Sequence, residues 1–253
     1  MNFRDAGSGT PLVLLHGYCG SHRYYDEVVP LLTDHCRVIT PDLRGHGDSE
    51  PSDGAYPMEL LADDVAGLLD RLGIDKAVLL GHSLGGYVTL AFAERHSERL
   101  LAFGLLHSTS YPDGDAARSN RDKAVASIRE GGVAAFVEGL VPKLFAPEHR
   151  ALSNPDVKKA LDIGNGTSSA GAIGCALGMR DRPDRTSVLA NTELPVLLLA
   201  GEKDDIIPAE RRFPVSSLNI EAVTLENVGH MGMLENPQAF ALAIIAFVQR
   251  TEN

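Results

Sequence analysis

The reading of this chain turns on Ala77-Val78-Leu79-Leu80-Gly81-His82-Ser83-Leu84-Gly85-Gly86-Tyr87-Val88-Thr89-Leu90-Ala91-Phe92-Ala93. A short apolar run, a turn bounded by glycine and a second apolar segment at helical spacing follow one another, which predicts strand, sharp turn and helix. Gly81 and Gly85 stand two residues to either side of Ser83, the G-x-S-x-G spacing of a nucleophile elbow. A serine at the apex of so tight a turn is pushed toward strained backbone angles, and side chains at the flanking positions collide with the strand or the helix. The hydroxyl then projects freely from a helix N-terminus, where unpaired N–H groups favour developing negative charge.

Outward from this turn the same alternation recurs. Upstream, residues 1–4 read as a short edge strand, Gly7-Ser8-Gly9 as a turn, and Pro11-Leu12-Val13-Leu14-Leu15 as a strand covered on both faces, ending in His16-Gly17-Tyr18. Residues 24–32 carry apolar positions at helical spacing. The strand Arg37-Val38-Ile39-Thr40 then leads into the glycine-rich loop Pro41-Asp42-Leu43-Arg44-Gly45-His46-Gly47-Asp48-Ser49, and residues 60–72 predict a helix. Downstream, Leu100-Leu101-Ala102-Phe103-Gly104-Leu105-Leu106 predicts the next strand. Strands alternating with helices imply a parallel sheet wrapped by helices.

The alternation breaks over residues 111–191. Helices are expected at 115–128, 133–144 and 168–179, with Gly131-Gly132 between the first two and no convincing strand, so this segment reads as a helical cap inserted into a core formed by 1–110 and 192–253. The rhythm resumes with Pro195-Val196-Leu197-Leu198-Leu199, a helix over 208–217, the strand Ala222-Val223-Thr224-Leu225 and a last helix over 237–249.

At 253 residues and 44% hydrophobic, the chain can bury a full-size core, and one domain carrying an insertion is expected. A net charge of −11 argues against a nucleic-acid or anionic-membrane surface and for a small-molecule substrate. Cys19, Cys36 and Cys175 lack redox or metal spacing, and reduced thiols are expected. Residues 1–10 show no leader features, and no apolar run reaches membrane-spanning length, which makes a cytoplasmic location the expectation. No cofactor and no metal are expected, because no histidine and carboxylate cluster has ligand spacing and no phosphate-cradling loop follows a strand.

Taken together, these motifs resemble the α/β-hydrolase superfamily: a serine-nucleophile, esterase-like member with a helical cap. The resemblance rests on His16-Gly17, on Asp42 with Arg44-Gly45-His46-Gly47 and Ser49, and on the elbow at Ser83. It also rests on Gly201-Glu202-Lys203-Asp204 with Pro208, and on Gly229-His230 with Leu234-Glu235. Serine, acid and histidine follow in the order that superfamily uses. It implies an α/β-hydrolase fold, and the short stretch before Pro11 leaves room for one leading strand, so seven strands are expected rather than eight.

A serine hydroxyl is a poor nucleophile near neutral pH and needs a base, which in turn needs an orienting group. His230, just past the last strand, is the expected base. Three carboxylates compete to orient it: Asp204 and Asp205 after one strand, and Asp113 after another. Asp204, three residues after Gly201 and four before Pro208, has the spacing of the family's acid loop. The backbone N–H groups of Tyr18 and Leu84 are the expected oxyanion hole, with Gly17 and His107 as candidate pocket residues. His82, Arg44 and His46 are expected to be structural, and Cys19 an unreactive thiol. The chemistry implied is hydrolysis of a small carboxylic ester through an acyl-enzyme. The same residues leave open a C–C bond hydrolase, a thioesterase or a lactonase, and, from another class, a small-ligand receptor that turns over slowly or not at all. The oligomeric state is left open.

Overall fold

The computed structural model of the protein describes residues 1–251. Strand β1 (Phe3–Ala6) turns into β2 (Pro11–Leu15) through Gly7 and Gly9, whose φ values of 82° and 95° favour glycine. A 3₁₀ turn at His22–Tyr25 and the single-turn helix α1 (Val29–Leu32) precede β3 (Arg37–Pro41). One helix over 24–32 was the expectation; Pro30 has no N–H and its ring clashes with a continuous preceding turn, so the helix restarts there. Next come α2 (Met58–Arg71), β4 (Ala77–His82), α3 (Leu84–Arg95) and β5 (Leu100–Leu106).

Between β5 and the next strand lie α4 (Asp115–Leu140), α5 (Pro155–Asn165), α6 (Ser169–Asp181) and α7 (Thr186–Asn191). Helix α4 breaks at Gly132 (φ 78°, ψ 176°), where the Gly131-Gly132 pair predicts an interruption. The chain then returns to the sheet as β6 (Val196–Gly201), α8 (Ala209–Arg212), β7 (Ile220–Leu225), α9 (Gly232–Glu235) and α10 (Pro237–Arg250). Helix α8 is shorter than the expected 208–217, because Pro214 disfavours helical angles at Phe213 before it.

The seven strands form one sheet in the order β1-β3-β2-β4-β5-β6-β7, parallel throughout except for β1, which runs antiparallel to β3. Every residue of β4 and β6 is buried, as continuous apolar runs covered on both faces require. Helix α3 is buried from Leu84 through Ala93. On the far helix α10, Phe240, Ala241, Ile244, Phe247 and Val248 form one apolar stripe against the core. In register, Gly81 lies opposite Leu15 on one side and Leu105 on the other. Parallel strands end on a common edge, so the loops carrying Tyr18, Ser83, His107, Asp204 and His230 meet above the same rim. Among the described residues, no helix is long and apolar enough to cross a membrane.

Candidate active site

Ser83 sits between β4 and α3 at φ 51° and ψ −112°, a region that L-residues populate rarely and at a cost of about 1–3 kcal/mol. The surroundings over-determine that conformation. The Ser83 N–H donates to the Leu106 carbonyl (3.0 Å), while the Ser83 carbonyl accepts from the Ser108 hydroxyl (2.8 Å) and from the N–H groups of Gly86 and Tyr87. The glycines supply the room: a Cβ on Gly81 would strike the Gly85 backbone, and one on Gly85 would lie 2.5 Å from the Leu15 carbonyl oxygen. This is the collision that the G-x-S-x-G spacing predicts.

His230 follows β7 and is 2% exposed, with its Nδ1–H donating to Asp204 Oδ2 at 2.8 Å. The other Asp204 oxygen accepts from the N–H groups of Ile206 (2.8 Å) and Ile207 (3.1 Å). Burial pushes the Asp204 carboxyl up, but the His230 ring that binds it and the His107 ring close by outweigh burial and hold the group well below the usual carboxylate range. The two rival carboxylates lie elsewhere. Asp205 points outward to Arg150 (2.7 Å), and Asp113 is bound by Arg121 and Arg182. His230 is fixed by its backbone as well: its N–H donates to the Leu144 carbonyl (2.8 Å), and its own carbonyl accepts from His82 Nε2–H (2.9 Å).

Two main-chain donors stand beside Ser83. The buried His16 ring donates from Nδ1 to the Gly17 carbonyl (2.8 Å) and accepts the Leu43 N–H at Nε2 (2.9 Å), while the Gly20 N–H also donates to Gly17 (3.0 Å). With that carbonyl tied back, the Tyr18 N–H on the far side of the same trans peptide is free, as is the Leu84 N–H that heads α3. Among the described residues neither group has a backbone acceptor.

Ser83 and His230 line one cavity of about 170 Å³, smaller than the roughly 300–1,000 Å³ of most ligand pockets. No hydrogen bond joins the serine hydroxyl to His230 here; such contacts commonly tighten only with substrate in place. Tyr18, Tyr24, His82, Tyr87 and Ile206 add core residues to the wall, while Arg121, Leu140, Leu144 and Met179 come from the segment 111–191. Clefts of about 660 and 430 Å³ open elsewhere, but neither borders Ser83 or His230.

Residues 12–243 match the alpha/beta hydrolase family. The chain belongs to that family. An esterase from Thermogutta terrifontis, solved with malate bound, superposes with a TM-score of 0.95 at 32% identity, covering 100% of this chain and 94% of that one. A soluble epoxide hydrolase of a Corynebacterium species is 30% identical over 94% of this chain and 90% of its own length. The dihydrolipoyllysine-residue acetyltransferase component of the acetoin cleaving system of Pseudomonas putida is 32% identical over 96% of this chain, which spans 64% of that protein.

Within this alpha/beta hydrolase two expected pocket residues stand off the cavity wall. Gly17 abuts the site from behind, where a Cβ would come within 2.5 Å of His82 Nδ1 and 3.3 Å of the Ser83 Cβ. His107 is fully buried beneath the His230 loop, stacked on Phe240 with its Nδ1 3.7 Å from Asp204, outside hydrogen-bond range. Its backbone at φ 48°, with the N–H held by the Leu199 carbonyl, carries the ring into the core instead of the pocket. His82, expected to be structural, is packed and neutral under strong burial, yet it also lines the cavity. Arg44 forms a two-pronged bond to Asp64, His46 packs on His16, and burial pushes the Cys19 thiol up to about 12.

Sequence reasoning named Glu235 only as part of a motif. Its side chain is 1% exposed, and Oε1 accepts from the N–H groups of Gly229 (3.0 Å) and Met231 (3.2 Å) on either side of His230. Oε2 accepts from the Ala146 N–H and from His149 Nδ1–H, both at 2.9 Å. One carboxylate thus spans the His230 loop and the helical segment. Among the described residues no group of His, Cys, Asp and Glu side chains is arranged to hold a metal ion.

Proposed function

We propose that this alpha/beta hydrolase cleaves a small carboxylic ester through an acyl-enzyme. What carries the reading is one arrangement: Ser83, strained and free at the head of α3, opens into the same small cavity as His230, whose far nitrogen is bound to the buried Asp204. Ser83 attacks the ester carbonyl while His230 Nε2 accepts the hydroxyl proton, and Asp204 holds the ring in the tautomer that leaves Nε2 bare. The N–H groups of Tyr18 and Leu84 receive the negative charge that develops on the carbonyl oxygen, a contribution of about 10²–10³ in rate for each donor. His230 returns the proton to the leaving alcohol, and water, activated by the same ring, releases the acid.

The 32% identity to an esterase supports this reading. Against the epoxide hydrolase likeness stands the elbow residue itself, since an alkyl-enzyme ester needs a carboxylate at the position of Ser83. Segment 111–191 acts as a cap, because it contributes Leu140, Leu144 and Met179 to the cavity wall and binds the His230 loop through the Leu144 carbonyl. The acidic chain, at −11, suits a small-molecule substrate and no nucleic acid.

The test is Ser83→Ala assayed on short acyl esters, together with active-site labelling by a serine-directed phosphonate. Turnover should vanish at an unchanged unfolding temperature, and the label should attach to Ser83 alone. Undiminished turnover in the folded variant overturns the proposal.

A further inference from the structure

Of the cationic side chains in the cap, only Arg121 reaches the cavity beside Ser83. Arg180 is spent on Asp122 and Asp181 at the surface, and Arg185 on Glu59 and Glu94. Arg182 is buried away from the cavity, and although its Nε has no partner among the described residues, both terminal nitrogens are held by structure. Its Nη1 donates to Asp113 Oδ1 (2.6 Å) and the Met179 carbonyl (2.8 Å), its Nη2 donates to the Tyr111 carbonyl (3.0 Å), and its guanidinium lies 3.8 Å over the Tyr87 ring.

Arg121 differs in what it leaves unused. Its Nε–H donates to Asp113 Oδ2 at 3.0 Å, and among the described residues its two terminal nitrogens donate to no acceptor. A guanidinium carries five N–H donors in a planar fork, so four remain at the cavity wall. The charge count points the same way. Asp113 is 6% exposed and supplies one negative charge to two guanidinium groups, which leaves one positive charge unbalanced next to the pocket. Arg182 alone suffices to neutralise Asp113 and to tie its loop to α6, so a mere strut needs no second arginine, and the half-buried Arg121 keeps its charge beside the cavity.

We propose that the free fork of Arg121 is a carboxylate subsite and that the substrate is a small ester that also bears a carboxylate. This rests on the ester-hydrolase reading of Ser83. A carboxylate accepts two parallel N–H bonds from such a fork, an arrangement a neutral group of the same size cannot match. A cavity of about 170 Å³ keeps the linker between carboxylate and reacting carbonyl short. The carboxylate belongs to either the acyl or the alcohol half, and substrates of both kinds separate the two cases.

The experiment compares monomethyl succinate, with the charge on the acyl side, and acetoxyacetate, with the charge on the alcohol side. Methyl butyrate and ethyl acetate are their neutral counterparts, and the readout is the ratio of kcat/KM, charged over neutral. The wild type should favour at least one charged ester by about tenfold or more, and Arg121→Gln should lower that ratio by about ten- to a hundredfold, the scale of a charge-assisted hydrogen bond. Arg121→Lys should restore part of it. Equal rates on charged and neutral esters in the wild type, or a ratio that Arg121→Gln leaves in place, overturn the subsite. Should Arg121→Gln not fold, inhibition of the wild type by succinate but not by succinamide supports the subsite, and equal inhibition overturns it. Calorimetric titration of Ser83→Ala with succinate separates the two claims. Binding that needs Arg121 in a protein that hydrolyses no ester keeps the subsite and removes the ester reading; hydrolysis without carboxylate preference does the reverse.

Discussion

Replacing Asp204 by Asn tests the orienting role at nearly constant shape. In the native site Oδ1 accepts two backbone N–H groups, from Ile206 and Ile207, and Oδ2 accepts Nδ1–H of His230. An asparagine must place its oxygen at one of these ends and its NH₂ at the other. Two fixed donors outweigh one rotatable tautomer, so the oxygen stays with the Ile206 and Ile207 N–H groups and the NH₂ faces His230. The ring then moves its proton to Nε2 to accept that new donor, and the nitrogen facing Ser83 can no longer take the hydroxyl proton. The same change of acid to amide in a serine protease triad costs about 10⁴ in kcat, close to 5 kcal/mol of transition-state stabilisation. The assay is kcat on a short neutral ester near neutral pH, with thermal unfolding as the check on folding. Asp205→Asn is the control: it loses an exposed ion pair to Arg150 and should alter kcat less than about twofold and stability by under about 1 kcal/mol. A folded Asp204→Asn protein that keeps more than about a tenth of wild-type kcat refutes the argument.

Two further outcomes follow from packing and burial. Gly81→Ala drives a methyl group into the Gly85 backbone and should cost about 2–3 kcal/mol, an unfolding temperature lower by roughly 5–10 °C, together with lost turnover; an unchanged unfolding temperature contradicts the steric account of the elbow. Burial, helped by the neighbouring His16, pushes the His46 imidazole from 6.5 down to about 3, so between those values the unfolded chain holds a proton that the folded one refuses. Stability from this group is full above 6.5 and declines as pH falls toward 3, and burial sets the buried rings of His16, His82 and His107 in the same direction. The urea midpoint should therefore drop between pH 7 and pH 4.5 by more than carboxylate titration explains, and a flat profile over that interval counts against it.

What could be read in advance follows from how local each signal is. Ser83 is recognisable because strand, glycines and helix are contiguous, and Asp204 because Gly201 and Pro208 bracket it; the seven-strand sheet follows from apolar runs that are buried on both faces. Arg121 could not be singled out among the cap's cations, since its place beside Ser83 depends on how α4 lies across a sheet edge remote in sequence. His107 was misplaced because the direction of a side chain just past a strand depends on one backbone angle, here the positive φ of 48°. Helices α5 and α7 went unread because they sit in a polar stretch, where Asn154 caps the first by accepting the Asp156 N–H. Pro30 and Pro214 shortened two expected helices at points where apolar spacing alone carries no warning.

The four hydrogen bonds of Glu235 make the His230 loop and the Ala146–His149 turn a single mechanical piece. With the bond from the His230 N–H to Leu144 added, residues 144–149 cannot hinge away without displacing His230. At the other end α4 is interrupted at Gly132, so its first half, carrying Arg121, is not joined to that clamped piece by a continuous run of helical turns. The residues that hold His230 and the half-helix that carries Arg121 thus lie on opposite sides of one break, and a displacement of either is not passed along the helix to the other.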